Sequence, residues 1–173
     1  MQSLFFARMS DRFSLHETNH CSGSGLCGDV DLAMNSQKPR ICAEVQVMFF
    51  DTDSGGVVSN IAYLRFIEIA RTALAQELGL RLSEMDQTKQ YPAVVRTEID
   101  YRRPAKVGDR LAIEAWLDEV ERARFWCAFR ITRPVDNSAI AECRQMVALV
   151  QMPEGKVVRL PEDWNKYRAE SKR

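Results

Sequence analysis

Apolar and polar side chains begin to alternate about forty residues into the chain. Over residues 41–50, Ile41, Val45, Val47 and Phe49 fall on one face, a period-2 pattern that predicts a half-buried β-strand. Residues 51–56 interrupt this pattern with two aspartates and two glycines. Turn-forming residues at this density indicate a loop after the strand.

The next segment, residues 58–78, has the periodicity of a long helix. Its polar side chains form one narrow stripe, while much of the remaining circumference is apolar. The stripe consists of Arg65, Glu68, Thr72 and Gln76. A helix that is apolar over so much of its surface is expected to be largely enclosed. Gly79 is a typical residue just beyond a helix end, and a short second helix is predicted near residues 83–87.

The remainder of the chain is rich in alternating segments that predict strands. They cover residues 93–101, 111–117, 125–131 and 139–151. Turns are predicted at residues 102–109 and 136–137, and residues 157–160 are expected to pair back on the last long strand. Pro161 opens a short, charged C-terminal helix. The predicted fold is a two-layer α+β domain, in which one curved antiparallel sheet wraps around one long helix.

The first part of the chain, residues 1–39, shows no sustained period of either kind and carries a Gly- and Ser-rich run at residues 21–25. We expect these residues to form a flexible N-terminal tail, followed by a folded domain over residues 40–173. Met34 lies where an alternative start would leave that domain intact.

Composition and charge exclude several classes of protein. Apolar residues make up 46% of the 173 residues, which is typical of a globular chain. The 24 basic and 24 acidic side chains leave no basic excess for nucleic acid. No stretch approaches the ~20 apolar residues of a membrane helix, and no segment has the pattern of a signal peptide, so no membrane insertion is expected.

The five cysteines match no disulfide framework of secreted proteins. We therefore expect a cytoplasmic protein with reduced thiols. Cys42, Cys127 and Cys143 fall in predicted strands and are expected to be small buried side chains.

The loop at residues 51–56 is the strongest candidate for chemistry. It places the carboxylates of Asp51 and Asp53 between a strand and the start of the long helix. A helix N-terminus presents unpaired N–H groups and about half a positive charge. A carbonyl oxygen there would be polarised, and a carboxylate beside it could attack the carbonyl carbon or activate water. The alternative is that both aspartates only cap the helix and shape the turn.

Three runs of residues carry a resemblance to a known family. They are Asp51-Thr52-Asp53-Ser54-Gly55-Gly56-Val57-Val58, Tyr63-Leu64-Arg65-Phe66-Ile67-Glu68-Ile69-Ala70-Arg71-Thr72 and Tyr101-Arg102-Arg103-Pro104-Ala105-Lys106-Val107-Gly108-Asp109. The runs resemble hotdog-fold acyl-CoA thioesterases of the 4-hydroxybenzoyl-CoA thioesterase type, whose relatives are associated with the Tol–Pal system. Over residues 41–163 the resemblance implies a hotdog fold, hydrolysis of an acyl-CoA, and a homodimer or homotetramer with active sites at the subunit interface.

The resemblance also implies roles for individual residues. Asp53 is the expected catalytic carboxylate, acting as nucleophile or general base, while the amides that open the helix polarise the thioester carbonyl. Asp51 is expected to support the loop by hydrogen bonds. The expected substrate contacts are Gly56, Val57, Asn60 and Tyr63.

One part of the motif departs from the family pattern. Relatives commonly carry His or an aromatic residue where Asn60 stands, and Asn where Ala62 stands, whereas Tyr63 matches. This departure supports the alternative of a non-catalytic protein that binds acyl-CoA or an acyl carrier. A scaffold role in an envelope complex is a second alternative, suggested only by the Tol–Pal branch.

Charged side chains elsewhere have two interpretations each. Glu68 is an alternative catalytic carboxylate, because a second class of hotdog thioesterases uses a helix Glu; the simpler explanation is an ion pair with Arg65 or Arg71. Relatives also place basic residues near the turn that holds Arg122 and Arg124. These arginines are candidates for binding CoA phosphates, with a solvated strand end as the alternative.

Histidine-dependent chemistry is disfavoured. The only two histidines, His16 and His20, lie in the predicted tail, whereas hotdog dehydratases and Ser-His-Asp or Cys-His hydrolases need one in the active site. Together with Cys21 and Cys27 these histidines fit no compact zinc pattern. We therefore expect no metal and no cofactor beyond the CoA thioester itself.

Overall fold

The computed structural model of the protein describes residues 38–168. Within this range the chain forms strands, two α-helices and two short 3-10 helices. In chain order they are β1 (Arg40–Gln46), a 3-10 helix (Phe49–Asp51), α1 (Asn60–Glu77), α2 (Leu82–Thr88), β2 (Gln90–Tyr101), β3 (Arg110–Val120), β4 (Arg124–Arg133), β5 (Ser138–Gln151), β6 (Lys156–Val157) and a second 3-10 helix (Glu162–Tyr167). The predicted order of one strand, a long helix and then an antiparallel set of strands is confirmed.

The strands pair in the order β1-β3-β4-β5-β2, with β6 attached to β5, and every pairing is antiparallel. The central strand β4 is buried on both faces over residues 125–129, whereas the edge strand β2 is exposed over residues 94–98. Helix α1 packs on one face of the sheet, mainly against β1 and β3. The α+β architecture, one curved antiparallel sheet with one long helix, is therefore confirmed.

Helix α1 begins where the local chain supplies a cap. The Ser59 hydroxyl accepts the N–H of Ala62 at 3.3 Å, which satisfies one of the unpaired amides of the first turn. The helix starts two residues later than predicted because Val58 still forms a β-bridge to Thr52 and Ser59 has an extended backbone, with a ψ of 153°. Its buried face recurs at helical spacing: Ala62, Tyr63, Phe66, Ile67, Ala70 and Leu74.

The prediction that α1 is largely enclosed is wrong for the single chain. Ile61 is 69% exposed, and Leu64 and Ile69 are exposed as well. The sheet covers only one side of the helix, so apolar side chains on the other side have no cover within residues 38–168. The polar stripe that begins at Arg65 and Glu68 is exposed.

The first strand is shorter than predicted. It ends at Gln46, and Phe49, which was expected on its buried face, is 83% exposed. The reason is a local hydrogen bond: the Asp51 carboxylate accepts the N–H of Met48 at 2.8 Å. This bond turns the chain into a 3-10 helix before the strand can continue.

Two of the three strand cysteines follow the prediction. Cys127 and Cys143 are buried, and burial raises the pKa of each thiol to about 12. The prediction is wrong for Cys42, which is exposed. Cys42 lies on the edge strand β1, where side chains turned away from α1 have no second layer above them.

The two ends of the described region attach to the sheet. The Pro39 O accepts the N–H of Leu117 at 3.1 Å, so pairing with β3 begins just before β1. The rest of the predicted tail, including Met34, lies outside the described residues, and the prediction for it stays a prediction. At the other end, the predicted short helix is a 3-10 helix that buries Trp164 against Phe125, with ring centroids 5.0 Å apart.

Candidate active site at the start of helix α1

The loop that carries Asp53 is folded into a tight turn. Its two sides meet in an antiparallel bridge between Thr52 and Val58. Inside the bridge, the Asp53 N–H donates to Val57 O at 2.9 Å and the Gly56 N–H donates to Asp53 O at 3.0 Å. Gly56 has a φ of 71°, a left-handed conformation that glycine adopts without a steric penalty. The sequence therefore places a glycine where this turn requires one.

The Asp53 side chain is exposed, with one carboxylate oxygen fixed by its own loop. Oδ1 accepts the N–H of Gly55 at 2.8 Å. No residue in the described part of the chain donates to Oδ2, so that oxygen keeps its lone pairs for a substrate or a water molecule. The carboxylate is thus oriented by one hydrogen bond and still accessible.

Asp51 is the opposite case, a carboxylate that is only 2% exposed. Its side chain accepts the Met48 N–H and forms an ion pair with the Arg65 guanidinium. Its main-chain O accepts the N–H of Ser59, the residue that caps α1, at 2.9 Å. These contacts join the strand end, the loop and the helix, and the supporting role of Asp51 stays a prediction.

The first amides of α1 lie directly beyond this loop. Ser59 satisfies the amide of Ala62, whereas the amides of Asn60 and Ile61 precede the first intrahelical hydrogen bonds. Acidic side chains are absent from this first turn, so the positive end of the helix dipole keeps its effect. A carbonyl oxygen placed here would meet unpaired donors and a positive potential.

A pocket of about 290 Å³ opens beside the same helix end. It is lined by Val58, Asn60, Tyr63, Tyr101, Arg102, Arg103 and Pro104. The structure therefore brings two of the predicted substrate contacts, Asn60 and Tyr63, to one pocket, while Gly56 and Val57 lie in the adjoining loop. Tyr101 and Arg103 were not assigned from the sequence, although both stand in the third family-like run.

Tyr63 forms the rigid wall of this pocket. Its hydroxyl accepts the N–H of Ala105 at 3.3 Å, and its ring lies 5.3 Å from the ring of Tyr101. Burial raises the pKa of the Tyr63 phenol above its ordinary value, because the phenolate would lose its solvation. Tyr63 is thus a neutral side chain that joins α1 to the loop before β3.

Glu68 lies two turns further along α1. The distance along the axis from Asn60 is about 12 Å, at 1.5 Å per residue. Its side chain is 65% exposed and pairs with the Arg71 guanidinium at 2.9 Å. This arrangement matches the ion-pair explanation and separates Glu68 from the helix amides.

Arg122 and Arg124 are exposed and lie at the turn between β3 and β4. That turn is at the far end of β3 from the Asp53 loop, since Gln46, just before the loop, pairs with Arg110 at the start of β3. The ten steps of β3 span about 33 Å. One subunit therefore does not bring these arginines to Asp53.

Residues 38–168 contain no group of three or more His, Cys, Asp or Glu side chains that could hold a metal ion. The tail residues His16, His20, Cys21 and Cys27 lie outside the described range. No helix in that range combines the length and apolar composition needed to cross a membrane.

A curved antiparallel sheet, one long helix on its face and a carboxylate loop at the helix N-terminus define the class of hotdog-fold thioesterases. Comparison with known proteins agrees with this class. A family model described as the thioesterase-like superfamily matches residues 33–166. The chain therefore belongs to the thioesterase-like superfamily, and thioester hydrolysis is the activity of that class.

Individual relatives support the assignment. The chain is 33% identical over 120 residues to the acyl-CoA thioesterase YbgC of Haemophilus influenzae. The matched region covers 69% of this chain and 87% of that protein. It is 34% identical over 98 residues to a 1,4-dihydroxy-2-naphthoyl-CoA hydrolase of Synechococcus elongatus, and this match covers 56% of this chain and 72% of that protein. A crystal structure of a 1,4-dihydroxy-2-naphthoyl-CoA thioesterase from Synechocystis matches with a TM-score of 0.66 and 26% identity, covering 74% of this chain and 94% of that one.

Proposed function

We propose that this protein hydrolyses an acyl-CoA to a free acid and CoA, with the carboxylate of Asp53 as the nucleophile or general base. The observation that carries the proposal is the geometry of Asp53: an accessible carboxylate, held through one oxygen by Gly55, in the loop that leads into α1. The relatives named as acyl-CoA and 1,4-dihydroxy-2-naphthoyl-CoA hydrolases support CoA as the thiol carrier.

Two routes use the same groups. In the nucleophilic route an Asp53 oxygen bonds to the thioester carbon, CoA leaves as the thiolate, and water then hydrolyses the mixed anhydride. In the general-base route Asp53 accepts a proton from the water that attacks the carbon, and the departing thiolate takes up a proton. Both routes develop negative charge on the carbonyl oxygen, which the amides of Asn60 and Ile61 would stabilise; such donors commonly contribute on the order of 3 kcal/mol each.

The proposal includes a homodimer formed through the edge strand β2. This strand is twelve residues long, and Val94, Val95 and Tyr101 are exposed on it. A long, partly apolar edge with unpaired backbone groups is a surface that proteins ordinarily cover. A second copy pairing along β2 would cover it, and assembly of two such dimers would give the homotetramer.

A dimer of this kind also gives Arg122 and Arg124 a role. In the sheet, Arg124 is level with Ala148, and Ala148 is level with Ala93 near the start of β2. If two β2 edges pair antiparallel, the start of one β2 lies beside the end of the other, near Tyr101. The arginines of one subunit would then lie at the same end of the joint sheet as the Asp53 loop of its partner, where they would bind CoA phosphates.

We also propose that the protein works in the cytoplasm. The support is the cysteine pattern: Cys127 and Cys143 are buried thiols within strands. Unpaired thiols are typical of reducing compartments.

A non-catalytic protein that binds acyl-CoA or an acyl carrier is the second candidate. Asn60 favours it, because this residue lines the pocket where relatives commonly carry His or an aromatic side chain. The two candidates differ in one measurable property, the release of free CoA thiol over many turnovers.

The test is a thiol-release assay on short-chain, long-chain and aromatic acyl-CoAs, with wild type beside Asp53→Asn. We expect turnover by wild type on at least one class and a loss of at least about a hundredfold in the variant, on the scale of removing one catalytic group. Asp163→Asn is the control, since it removes an exposed carboxylate in the second 3-10 helix. Wild-type turnover in Asp53→Asn would move the role to another group, and tight acyl-CoA binding without turnover would favour the binding protein.

A further inference from the structure

We propose that Arg65 is a positioning residue for the proposed reaction, holding the Asp53 loop in register with the first turn of α1. The proposal rests on the function proposed above and adds a residue to it. Arg65 touches neither Asp53 nor the amides of Asn60 and Ile61; it acts through the buried carboxylate of Asp51.

The first observation is where the Asp51 carboxylate lies. Buried carboxylates require hydrogen-bonded or charged partners, because desolvation of an unpaired charge is costly. Asp51 has one such charged partner in the described chain, the guanidinium of Arg65, and one amide, that of Met48. Without Arg65 the carboxylate would keep a single hydrogen bond, and the loop would have to move to rehydrate it.

The second observation is how Arg65 is held. Its guanidinium also lies over the ring of Phe50, 5.3 Å from the centroid, although the Arg65 side chain is 52% exposed. Phe50 and Asp51 are neighbours in the 3-10 helix, so the guanidinium is bracketed by two consecutive residues. A planar guanidinium can pair with a carboxylate and stack on a ring at once, which an ammonium group does poorly.

The third observation is the path from this pair to Asp53. Asp51 O accepts the N–H of Ser59, and the bridge between Thr52 and Val58 comes immediately after it. The next hydrogen bond in the ladder joins Asp53 N–H to Val57 O. Arg65, in the second turn of α1, thus anchors one end of a short ladder, and Asp53 lies at the other end. This ladder sets the position of Asp53 relative to the helix amides.

Arg65→Met keeps the aliphatic stem and removes the guanidinium. We expect kcat to fall by at least about tenfold with KM changed less than about threefold, because the reacting geometry is lost while neither Arg65 nor Asp51 lines the substrate pocket. Arg65→Lys should retain an intermediate kcat, since it keeps the charge but not the stacking. The double variant Asp51→Asn/Arg65→Met should lose no more than the worse single variant, because both changes break one pair.

A readout that does not depend on activity separates this proposal from the proposed function. Backbone amide hydrogen exchange over residues 53–59 should quicken at least about tenfold in Arg65→Met and stay as in wild type in Asp53→Asn. The matched control is Arg130→Met, which removes an arginine that lies 6.0 Å from the Trp116 ring centroid and 4.0 Å from the Glu114 carboxylate, on the sheet face turned away from α1. We expect the control to change neither the loop exchange nor kcat by more than about twofold.

Some outcomes would overturn the proposal. Wild-type kcat and wild-type loop exchange in Arg65→Met would show that the pair positions nothing. A rise in KM with kcat unchanged would make Arg65 a substrate-binding residue instead. If Arg65→Met does not fold, Arg65→Lys and Asp51→Asn give the same test. The supporting result is then amide exchange that becomes faster in residues 53–59 and stays as in wild type elsewhere. Full activity of Asp53→Asn would refute the proposed function alone, and the exchange data would still decide the role of Arg65.

Discussion

Replacing Tyr63 by phenylalanine removes one hydroxyl from the junction between α1 and the loop before β3. The hydroxyl accepts the N–H of Ala105, a residue that is 0% exposed, at 3.3 Å. The variant leaves this amide buried without its acceptor, which typically costs about 1–3 kcal/mol. The bond is longer than the usual distance of about 3 Å, so we expect a loss near 1 kcal/mol and a fall in Tm of about 3–5 °C.

The assay is urea unfolding followed by circular dichroism, with Tyr167→Phe as the control. The Tyr167 ring packs against Trp164 at 6.2 Å, and its hydroxyl has no hydrogen-bond partner among residues 38–168. We expect the control to change the free energy of unfolding by less than about 0.5 kcal/mol. Equal losses in the two variants would refute the reasoning, because the effect would then come from the hydroxyl in general and not from its bond to Ala105.

The ionisation of the Tyr63 phenol predicts how stability depends on pH. Burial raises the pKa of Tyr63 above its ordinary value of 10.0, so the unfolded chain loses this proton first as the pH rises. The resulting stabilisation is fully present below the unfolded pKa and is lost as the pH rises through the folded pKa. Wild type should therefore lose more stability than Tyr63→Phe above about pH 10. An identical alkaline decline in both proteins would contradict this.

Two further predictions concern surfaces away from the pocket. Val95→Lys puts a charge on the β2 edge of each copy and should convert the proposed dimer to a monomer, as measured by light scattering. The control, Val135→Lys, changes a residue that is 88% exposed and should leave the dimer intact. A wild-type chain that is already monomeric would refute the interface. The Arg133 guanidinium, which contacts Asp109 at 3.0 Å and Asp136 at 2.7 Å, holds the pKa of Asp136 well below its usual range. The lowered pKa of Asp136 means that its charged form stabilises the folded protein above the unfolded pKa of about 4, and that this stabilisation is lost as the pH falls through the folded pKa. Arg133→Met should therefore lose less stability than wild type on acidification. Equal shifts of the urea midpoint in the two proteins between pH 5 and 2 would contradict this prediction.

The sequence by itself determined the elements and the position of the candidate loop. Period-2 alternation in β3 and β5 and the apolar face of α1 are local properties, because side-chain direction follows from the backbone conformation of each element. The same is true of Gly56 and Gly79, both with positive φ, at turns. The turn-forming residues at 51–56 therefore suffice to predict a loop without any information on tertiary contacts.

Tertiary structure decided how those elements are covered and which charges meet. Phe49 fits a buried position by spacing, yet it is exposed because the chain has turned into a 3-10 helix at this point. Cys42 was expected to be buried because it lies in a strand, yet it is exposed because no second layer covers its face of β1. The pair of Asp51 and Arg65 joins residues fourteen positions apart, and only the approach of α1 to the strand end brings them together. The family resemblance suggested Arg122 and Arg124 as residues that bind CoA phosphates, but their distance from Asp53 is set by the pairing of the strands. Contacts between elements depend on the packing of the whole chain, so local periodicity alone does not specify them.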